Sequence, residues 1–325
     1  MKKYNVVEIA KACGVSPSTV CRALNGKSDI NKTTSEKILD YCRLHGFSKN
    51  MSASSLRMSR SDAIVCIMPD LANEMFIDKI SCLKEEVLKS GYKWQIFNYG
   101  GKEEAQSIFN ETAGSRPAGI ISSFNPDFEA KTILKNNRIP IVFYDCDVDG
   151  FDSVRLDRGK GVFEAVSFMI EKGRKKILLL GSNLKEERGS AYSEALLSKG
   201  LKIDPEHIVD APFGADLFSY GYEQVAKFAD NISFDGIMCV NDACAIGAMR
   251  ALNKKGMGIP ENVSVCGFDN IKVAQFTIPS LTTVFQPKEE MAKSAIGFLL
   301  KRIRHYGAER RTVQLHTSLC IRESA

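Results

Sequence analysis

Residues 6–25 of the chain are VVEIAKACGVSPSTVCRALN, and this stretch predicts two short helices joined by a tight turn. A capping-box pattern over 5–8 opens the first helix, and the apolar face that follows ends at Gly14. Ser16 is suited to cap a second helix, and Pro17 fits its first turn, where no backbone donor is lost. Two short helices with a glycine-containing turn are typical of a helix-turn-helix.

A third helix is predicted from a cap at Asn31 to Gly46, which completes a small three-helix bundle. In such a bundle the second helix is the one that fits the major groove of DNA. Its only long donor on the outer face is Arg22, and a bidentate contact to guanine is worth about 1–3 kcal/mol of base discrimination. A plain surface arginine is the alternative. The predicted DNA-contacting residues of the bundle are Ser16, Pro17, Ser18, Thr19, Arg22 and Asn25.

Positive charge is concentrated at the start of the chain. Residues 1–61 carry eleven Lys or Arg against four acidic residues, a net charge of +7, whereas the whole chain of 325 residues has +5. The remaining residues therefore carry a net charge of −2. A small basic module attached to a nearly neutral larger one indicates a polyanion partner for the first, and a solvated lysine-rich surface is the alternative.

The composition excludes several classes of protein. With 26% charged and 44% hydrophobic residues, the chain is predicted to be globular and has room for two or more domains. No apolar run approaches the roughly 18–20 residues that span a bilayer, so no membrane partner is expected. Ten scattered cysteines without a Cys-x-x-Cys pair, and four histidines outside any ligand spacing, predict reduced thiols, no metal and no cofactor. The N-terminus does not resemble an export signal, and a cytoplasmic location is expected.

Residues 6–25 closely resemble the opening of the lactose/galactose repressor family of bacterial transcription regulators. The resemblance continues through 46–57, which is similar to the family's hinge helix, and then through nearly the whole chain. It implies that Leu56 enters the minor groove at the centre of the operator, with Arg57 beside it. Cys21 departs from the family's usual serine near a phosphate, which weakens one expected backbone contact. Further strong signatures of the family are 259–270 and 279–288.

The hinge is also indicated by its own composition. Serines at three of the four positions 52–55 are poor helix formers, and eight residues are too few to hold a helix in water. This segment is therefore expected to be disordered in the free protein and to become helical on DNA, and a plain serine-rich linker is the alternative.

From residue 62 onward, short apolar runs alternate with amphipathic stretches. Such alternation predicts parallel sheets covered by helices on both faces. About 260 residues are too many for one sheet, so we expect two doubly wound parallel-sheet subdomains with a cleft between their strand ends. The family shares this α/β body with periplasmic sugar-binding proteins. The predicted domains are an all-α helix-turn-helix domain (1–48), a hinge helix and linker (49–61), and an effector-binding and dimerisation domain (62–325) whose chain crosses between subdomains near 157 and 286.

Polar side chains follow several of the predicted strands, where such a cleft would be lined. Carboxylates and an amide around one arginine suit a polyhydroxylated ligand, because hydroxyls both donate and accept hydrogen bonds. Taken singly, these residues are explained as well by capping and turn formation. The resemblance implies effector contacts for most of them, although Glu74 and Ala191 depart from the family pattern, and it implies a further aromatic that is either Phe213 or Phe218. The predicted effector-binding residues are Asp70, Phe76, Asp145, Arg188, Asn241 and Asp269.

These observations predict a sequence-specific DNA-binding transcriptional regulator, and within that class a repressor controlled by a small carbohydrate or nucleoside. It is expected to bind a palindromic operator as a homodimer. An enzyme is disfavoured, because the chain lacks the motifs of serine hydrolases, zinc peptidases and dinucleotide-binding enzymes. A transport-type sugar-binding protein without a regulatory role is the alternative, and activation or corepression remain open within the regulators. The helix predicted over 288–306 either buries part of a dimer interface or packs on a sheet.

Overall fold

The computed structural model describes residues 6–24, 30–45, 61–69, 74–212, 214–230 and 233–325. The chain divides into two compact units, Met1–Ser61 and Asp62–Ala325, and each is described here by itself. None of the described helices has both the length and the apolar character that crossing a bilayer requires.

The described part of the first unit contains three helices, and two of them begin where the sequence supplies a cap. Ser16 Oγ accepts a hydrogen bond from Thr19 N (3.2 Å) at the start of the second helix, and Asn31 Oδ1 accepts one from Thr33 N (3.0 Å) at the start of the third. The helices are α1 (Val6–Cys13), α2 (Pro17–Leu24) and α3 (Lys32–Leu44). Their shared core contains Ile9, Ala10, Cys13, Val20, Ala23, Ile38 and Cys42. The predicted helix-turn-helix is therefore confirmed.

The second unit contains two sheets, and the first of them is wholly parallel. Its strands are β1 (Ala63–Pro69), β2 (Lys93–Tyr99), β3 (Gly119–Ser122), β4 (Ile141–Tyr144), β5 (Asp152–Asp157) and β11 (Thr312–His316). Their order across the sheet is β11-β5-β4-β3-β1-β2. The helices that cover it are α4 (Glu74–Lys89), α5 (Lys102–Gly114), α6 (Phe128–Asn136) and α11 (Lys288–Arg304).

Both faces of this sheet are buried, as the continuous apolar run of β1 predicts. Ile64, Cys66 and Met68 pack with α4 and α11 on one face. Val65 and Ile67 pack with α5 and α6 on the other. The alternation of a strand's side chains thus supplies two separate cores from one short segment.

The second sheet has the same plan with one exception. Its strands are β6 (Ile177–Leu180), β7 (Ile208–Val209), β8 (Gly236–Cys239), β9 (Ser264–Asp269), β10 (Thr282–Phe285) and β12 (Ser318–Cys320), in the order β12-β10-β9-β8-β6-β7. Its helices are α7 (Arg158–Glu171), α8 (Glu187–Ser198), α9 (Leu217–Phe228) and α10 (Asp242–Lys254). The predicted doubly wound architecture is confirmed, but β12 runs antiparallel to β10 and the sheet is not purely parallel. The reason is that the chain enters β12 at Ser318, beside Phe285, where it left β10.

The chain passes between the two sheets three times: after Asp157, after Phe285 and at Thr317. The three passages lie side by side, because His316 pairs with Asp157 in the first sheet and Ser318 pairs with Phe285 in the second. Thr317 Oγ1 also donates to the carbonyl of Asp157 (2.7 Å). The sequence predicted passages near 157 and 286 but did not predict the third.

Helix α11 belongs to the core of the first sheet. Met291, Ala295 and Leu299 are buried in the cluster that contains β1 and α4, and Phe298 is half-buried against the same cluster. The structure thus supports sheet packing, and not a dimer interface, for this face of the helix. The ten cysteines are all free thiols, and six of them are buried.

Candidate functional site

The first candidate site is the N-terminal end of α2. Ser16 Oγ lies 2.8 Å from both Ser18 Oγ and Thr19 Oγ1, so the three hydroxyls form one small cluster. Ser16, Pro17, Ser18 and Arg22 are exposed, and Thr19 is half-exposed.

The inward residues Val20 and Ala23 fix α2 on the bundle core. The helix therefore presents hydroxyl donors and one guanidinium on a single outer face, a set of groups that suits phosphates and base edges. Three predicted DNA-contacting residues, Asn25, Leu56 and Arg57, lie outside the described residues.

The second candidate site lies where strands of both sheets end. Asp145 follows β4 of the first sheet, whereas Asn241 follows β8 and Asp269 ends β9 of the second. Arg188 is the second residue of α8, after β6, and Phe76 lies in the first turn of α4. Asp70 falls outside the described part of the chain. The carboxyl ends of parallel strands are where α/β folds bind ligands.

Asp145 is held by two cations that the sequence did not identify. Lys79 Nζ donates to its Oδ2 (2.6 Å), and Arg158 Nη2 donates to its Oδ1. Lys79 is fully buried in the middle of α4, and Arg158 begins α7 at the first passage between the sheets. Asp145 itself has φ 63°, a left-handed conformation that non-glycine residues rarely adopt. Such backbone strain clusters at functional sites.

A sequence signal for Lys79 exists, although it was missed. Met75, Lys79, Leu83 and Val87 are the buried residues of α4, and they follow one another at intervals of four. Lys79 thus interrupts an otherwise apolar stripe on the helix face that turns toward the core. A lysine at such a position needs a buried acidic partner.

The charges in this group influence one another. Burial favours the neutral form of Asp145, but Lys79 and Arg158 outweigh burial and hold its pKa below the ordinary value. Burial lowers the pKa of Lys79, and Asp145 opposes that shift. For Arg158 burial is again opposed by Asp145, and the net effect raises its pKa. Asp145 therefore stays ionised as the common partner of two cations.

Arg188 lies beside this group without joining it. Its guanidinium carbon sits 4.6 Å from the centre of the Phe268 ring, which is a stacking distance. Burial lowers the pKa of Arg188, and Arg158 adds to that shift, while Asp269 and Asp145 oppose it. These couplings place charged groups from both sheets in one electrostatic environment.

Asn241 and Asp269 are both engaged by the protein. Asn241 Oδ1 accepts from Cys244 N (2.9 Å) and so caps α10, the local role that its sequence position also allows. Asp269 Oδ1 accepts from Gln286 Nε2 (2.5 Å), and its φ of 109° lies outside the usual range for a non-glycine residue. Both side chains are buried.

Asp242, next to Asn241, is a further buried carboxyl of this region. It accepts hydrogen bonds from Ile271 N (2.8 Å) and from Thr283 Oγ1. Burial, with a smaller contribution from Asp269, raises the pKa of Asp242 to about 8. It is therefore largely neutral at pH 7.

The aromatic residues proposed for the site differ in how deeply they are buried. Phe76 is half-buried and packs, with Met75, against the core of the second sheet, so the start of α4 reaches across from the first sheet. The ammonium of Lys79 lies 5.9 Å from the centre of the Phe76 ring. Of the two further aromatics that sequence proposed, Phe213 is outside the described residues, and Phe218 is 48% exposed near the start of α9.

Two family models match parts of the chain. Residues 5–50 match the model of the bacterial regulatory proteins of the lacI family, and residues 166–325 match that of the periplasmic binding protein-like domain. The chain thus combines a lacI-family helix-turn-helix domain with a periplasmic-binding-protein-like domain. The protein is a transcriptional regulator with an N-terminal DNA-binding domain.

Similar proteins match nearly the whole chain. It is 27% identical to the HTH-type transcriptional repressor PurR of Vibrio atlanticus (strain LGP32) and 28% identical to the HTH-type transcriptional regulator RegA of Clostridium saccharobutylicum, and each match covers 98% of both chains. The fold matches that of the lac repressor dimer bound to operator and the anti-inducer ONPF, with a TM-score of 0.84 at 21% identity over 99% of both chains.

Proposed function

We propose that the protein is a repressor that binds a palindromic operator as a homodimer and whose affinity for the operator is set by a small effector. The single observation that carries the proposal is that one chain contains both a helix-turn-helix and, in a separate unit, charged side chains from two sheets collected at their strand ends. The first feature suits DNA, and the second suits a small polar ligand.

On the DNA side, α2 would enter the major groove. Ser16, Ser18 and Thr19 would contact the backbone or base edges, and Arg22 would supply the base-specific contact. We retain 49–61 as the proposed hinge, with Leu56 wedged into the minor groove and Arg57 beside it. The two copies of α2 would then lie in successive major grooves about 34 Å apart.

On the ligand side, the proposed effector contacts are Asp70, Phe76, Asp145, Arg188, Asn241 and Asp269. Side chains from both sheets would touch one ligand, so binding would favour one arrangement of the subdomains over another. A ligand shifts such an equilibrium only by its difference in affinity for the two arrangements. That difference would appear as a change in operator affinity.

Two other functions are less well supported. A transport-type sugar-binding protein has no use for the α1–α3 bundle with its exposed Arg22. An enzyme would need a reactive group beside the cleft, but Asp145 is tied to Lys79 and Arg158, and no catalytic arrangement is evident among the described residues. We therefore propose a non-enzymatic regulator that acts in the cytoplasm.

The test is to select bound DNA from a random pool with the full chain. We expect a palindrome to emerge from the wild-type selection. Arg22→Ala should lose the base preference at one position of each half-site, at a cost of about 1–3 kcal/mol against the best sequence. The matched control is Arg43→Ala, because Arg43 is exposed on α3 and pairs with Asp40; it should leave the selected sequence unchanged. An equal loss of affinity on every sequence would show that Arg22 contacts only phosphate.

A further inference from the structure

Acceptor oxygens of Asp145, Asp269 and Asn241 are already used within the protein, whereas the neighbouring Gln286 Oε1 is buried without a partner among the described residues. Both carboxylate oxygens of Asp145 are taken by Lys79 and Arg158. One oxygen of Asp269 is taken by Gln286, and the amide oxygen of Asn241 by the backbone of α10. A ligand made only of hydroxyls needs acceptors for its own protons, and here most of those acceptors are occupied.

The cleft also has a hydrogen-bond donor that the protein itself does not use. Arg188 Nε is buried and has no hydrogen-bond partner among the described residues. Within the same residues no carboxylate lies within ion-pair distance of its guanidinium, whose contact is the stack on Phe268. A buried guanidinium donor without an acceptor is costly, so such a group is a place where a ligand oxygen is expected.

The pairing of charged groups in the cleft also favours an anionic ligand. Lys79, Arg158 and Arg188 supply three cations against the two carboxylates Asp145 and Asp269, because the raised pKa of Asp242 keeps it largely neutral. Two further acids of this region are exposed and accept hydrogen bonds from neutral donors: Glu187 Oε1 accepts from Gly159 N (2.9 Å) and Glu186 Oε2 from Ser182 Oγ (2.8 Å). Lys79 and Arg158 both pair directly with Asp145, and among the described residues Arg188 is the one of the three cations without a direct carboxylate partner.

We propose that the effector carries an oxyanion, a phosphate or a carboxylate, and that this group pairs with Arg188. The inference rests on the proposed function and specifies the chemical class of its ligand. The planar guanidinium, fixed against Phe268, offers a rigid fork that matches the two oxygens of such a group. The neutral part of the effector would then lie toward Phe76 and Asp269.

The test uses the full chain and simple oxyanions as probes. Thermal unfolding is measured in sodium chloride, sodium phosphate and sodium acetate at equal ionic strength, for the wild type and for Arg188→Met. Methionine keeps an apolar side chain over Phe268 but has no donor. Because phosphate also stabilises proteins by exclusion from their surface, the quantity of interest is the difference between the two proteins.

We expect the wild type to gain about 2–4 °C more than Arg188→Met in phosphate or acetate at roughly ten times the dissociation constant. Which salt gives the larger difference distinguishes a phosphate from a carboxylate ligand. Lys185→Met, at an exposed lysine in the loop before α8, should respond as the wild type does. Equal shifts of wild type and Arg188→Met in both salts would overturn the proposal.

A second variant covers the case in which Arg188→Met does not fold. Arg188→Lys keeps the charge but replaces the fork by a single ammonium, and it should bind the better oxyanion about tenfold more weakly or worse. Binding at wild-type strength would overturn the proposed pairing. The DNA selection is run without either salt, so a failure to select any operator would contradict the repressor function while leaving the oxyanion result as it stands.

Discussion

Asp145 is the residue on which the charge balance of the body depends. Replacing it by Asn leaves Lys79 and Arg158 without their carboxylate, and breaking a buried ion pair in this way costs about 3–5 kcal/mol. We expect Asp145→Asn to lower the free energy of unfolding in urea by about that amount. Because the pKa of Asp145 is lowered in the folded state, its contribution is present above about pH 4 and is lost as the pH falls further.

The matched variant is Lys79→Met, which should cost less because Arg158 still pairs with Asp145. The double variant Lys79→Met with Asp145→Asn should be more stable than the sum of the two losses predicts. The reason is that Lys79→Met removes one of the two buried cations that Asp145→Asn leaves unpaired. A loss below about 1 kcal/mol for Asp145→Asn alone would contradict the buried ion-pair group.

Asp242 gives the opposite dependence on pH. Its folded pKa of about 8 lies above the value of about 3.9 for an unfolded Asp, so the folded protein binds its proton more tightly. The stability from this group is complete below about pH 4 and declines as the pH rises through about 8, by about 1.4 kcal/mol for each unit between the two values.

The measurement is the free energy of unfolding from pH 5 to pH 8 in the wild type and in Asp242→Asn. Asn can accept from Ile271 N and donate to Thr283 Oγ1, so the variant keeps both hydrogen bonds. We expect its stability to fall less steeply with pH than that of the wild type. Parallel curves for the two proteins would show that Asp242 is ionised in the folded state.

At the scale of elements, α9 and α10 pack closely because glycines face the contact. A Cβ placed on Gly247 of α10 would lie 2.0 Å from the carbonyl oxygen of Phe218, and one on Gly221 of α9 would lie 2.1 Å from that of Cys244. Gly247→Ala therefore forces the two helices apart, at a cost of about 1–3 kcal/mol.

The control is Gly297→Ala in α11, where a Cβ would meet nothing within 4 Å. This change should stabilise the protein by about 0.5–1 kcal/mol, because alanine favours the helix. Chemical unfolding of both variants tests the pair. Stabilisation of similar size by both alanines would show that α9 and α10 are not packed through their glycines.

Elements with strong local signals could be predicted from the sequence, and elements that depend on distant partners could not. The capped helices α2 and α3 and the apolar run of β1 carry their own signals. Strand β5 is bounded by Asp152 and Asp157, and it forms because it lies between β4 and β11, a strand more than 150 residues away. The short strand β12 exists only through its pairing with β10.

The same reason explains which part of the candidate site was missed. Asp145 and Arg188 were proposed because they follow apolar runs, a feature that is visible locally. Lys79 and Arg158 join Asp145 only in the folded chain, and Lys79 is 66 residues from its partner in sequence. A sequence shows that a lysine interrupts an apolar stripe, but it does not show which carboxylate meets it.

At the scale of the whole molecule, the two units have separate cores. Among the described residues, the α1–α3 core draws on none beyond Cys42, and the cores of the body draw on none before Ile64. We therefore expect a chain shortened to residues 62–325 to unfold cooperatively within a few degrees of the body in the full chain, and to lose all affinity for duplex DNA.

Calorimetry and electrophoretic mobility of the shortened chain test this expectation. The cleft is tested separately by comparing how much phosphate stabilises the shortened chain and its Arg188→Met variant. Failure of residues 62–325 to fold would show that the first unit stabilises the body. DNA binding retained by the shortened chain would contradict the assignment of that role to α2.

The three adjacent passages between the sheets restrict how the body can move. A single connecting segment would let the subdomains swivel freely, but three parallel connections at Asp157, Phe285 and Thr317 resist torsion. The motion that remains is bending of one subdomain relative to the other about the line of the three connections. A ligand in the cleft thus acts on a single mechanical coordinate, so that effectors of different shape produce the same kind of displacement and differ only in its extent.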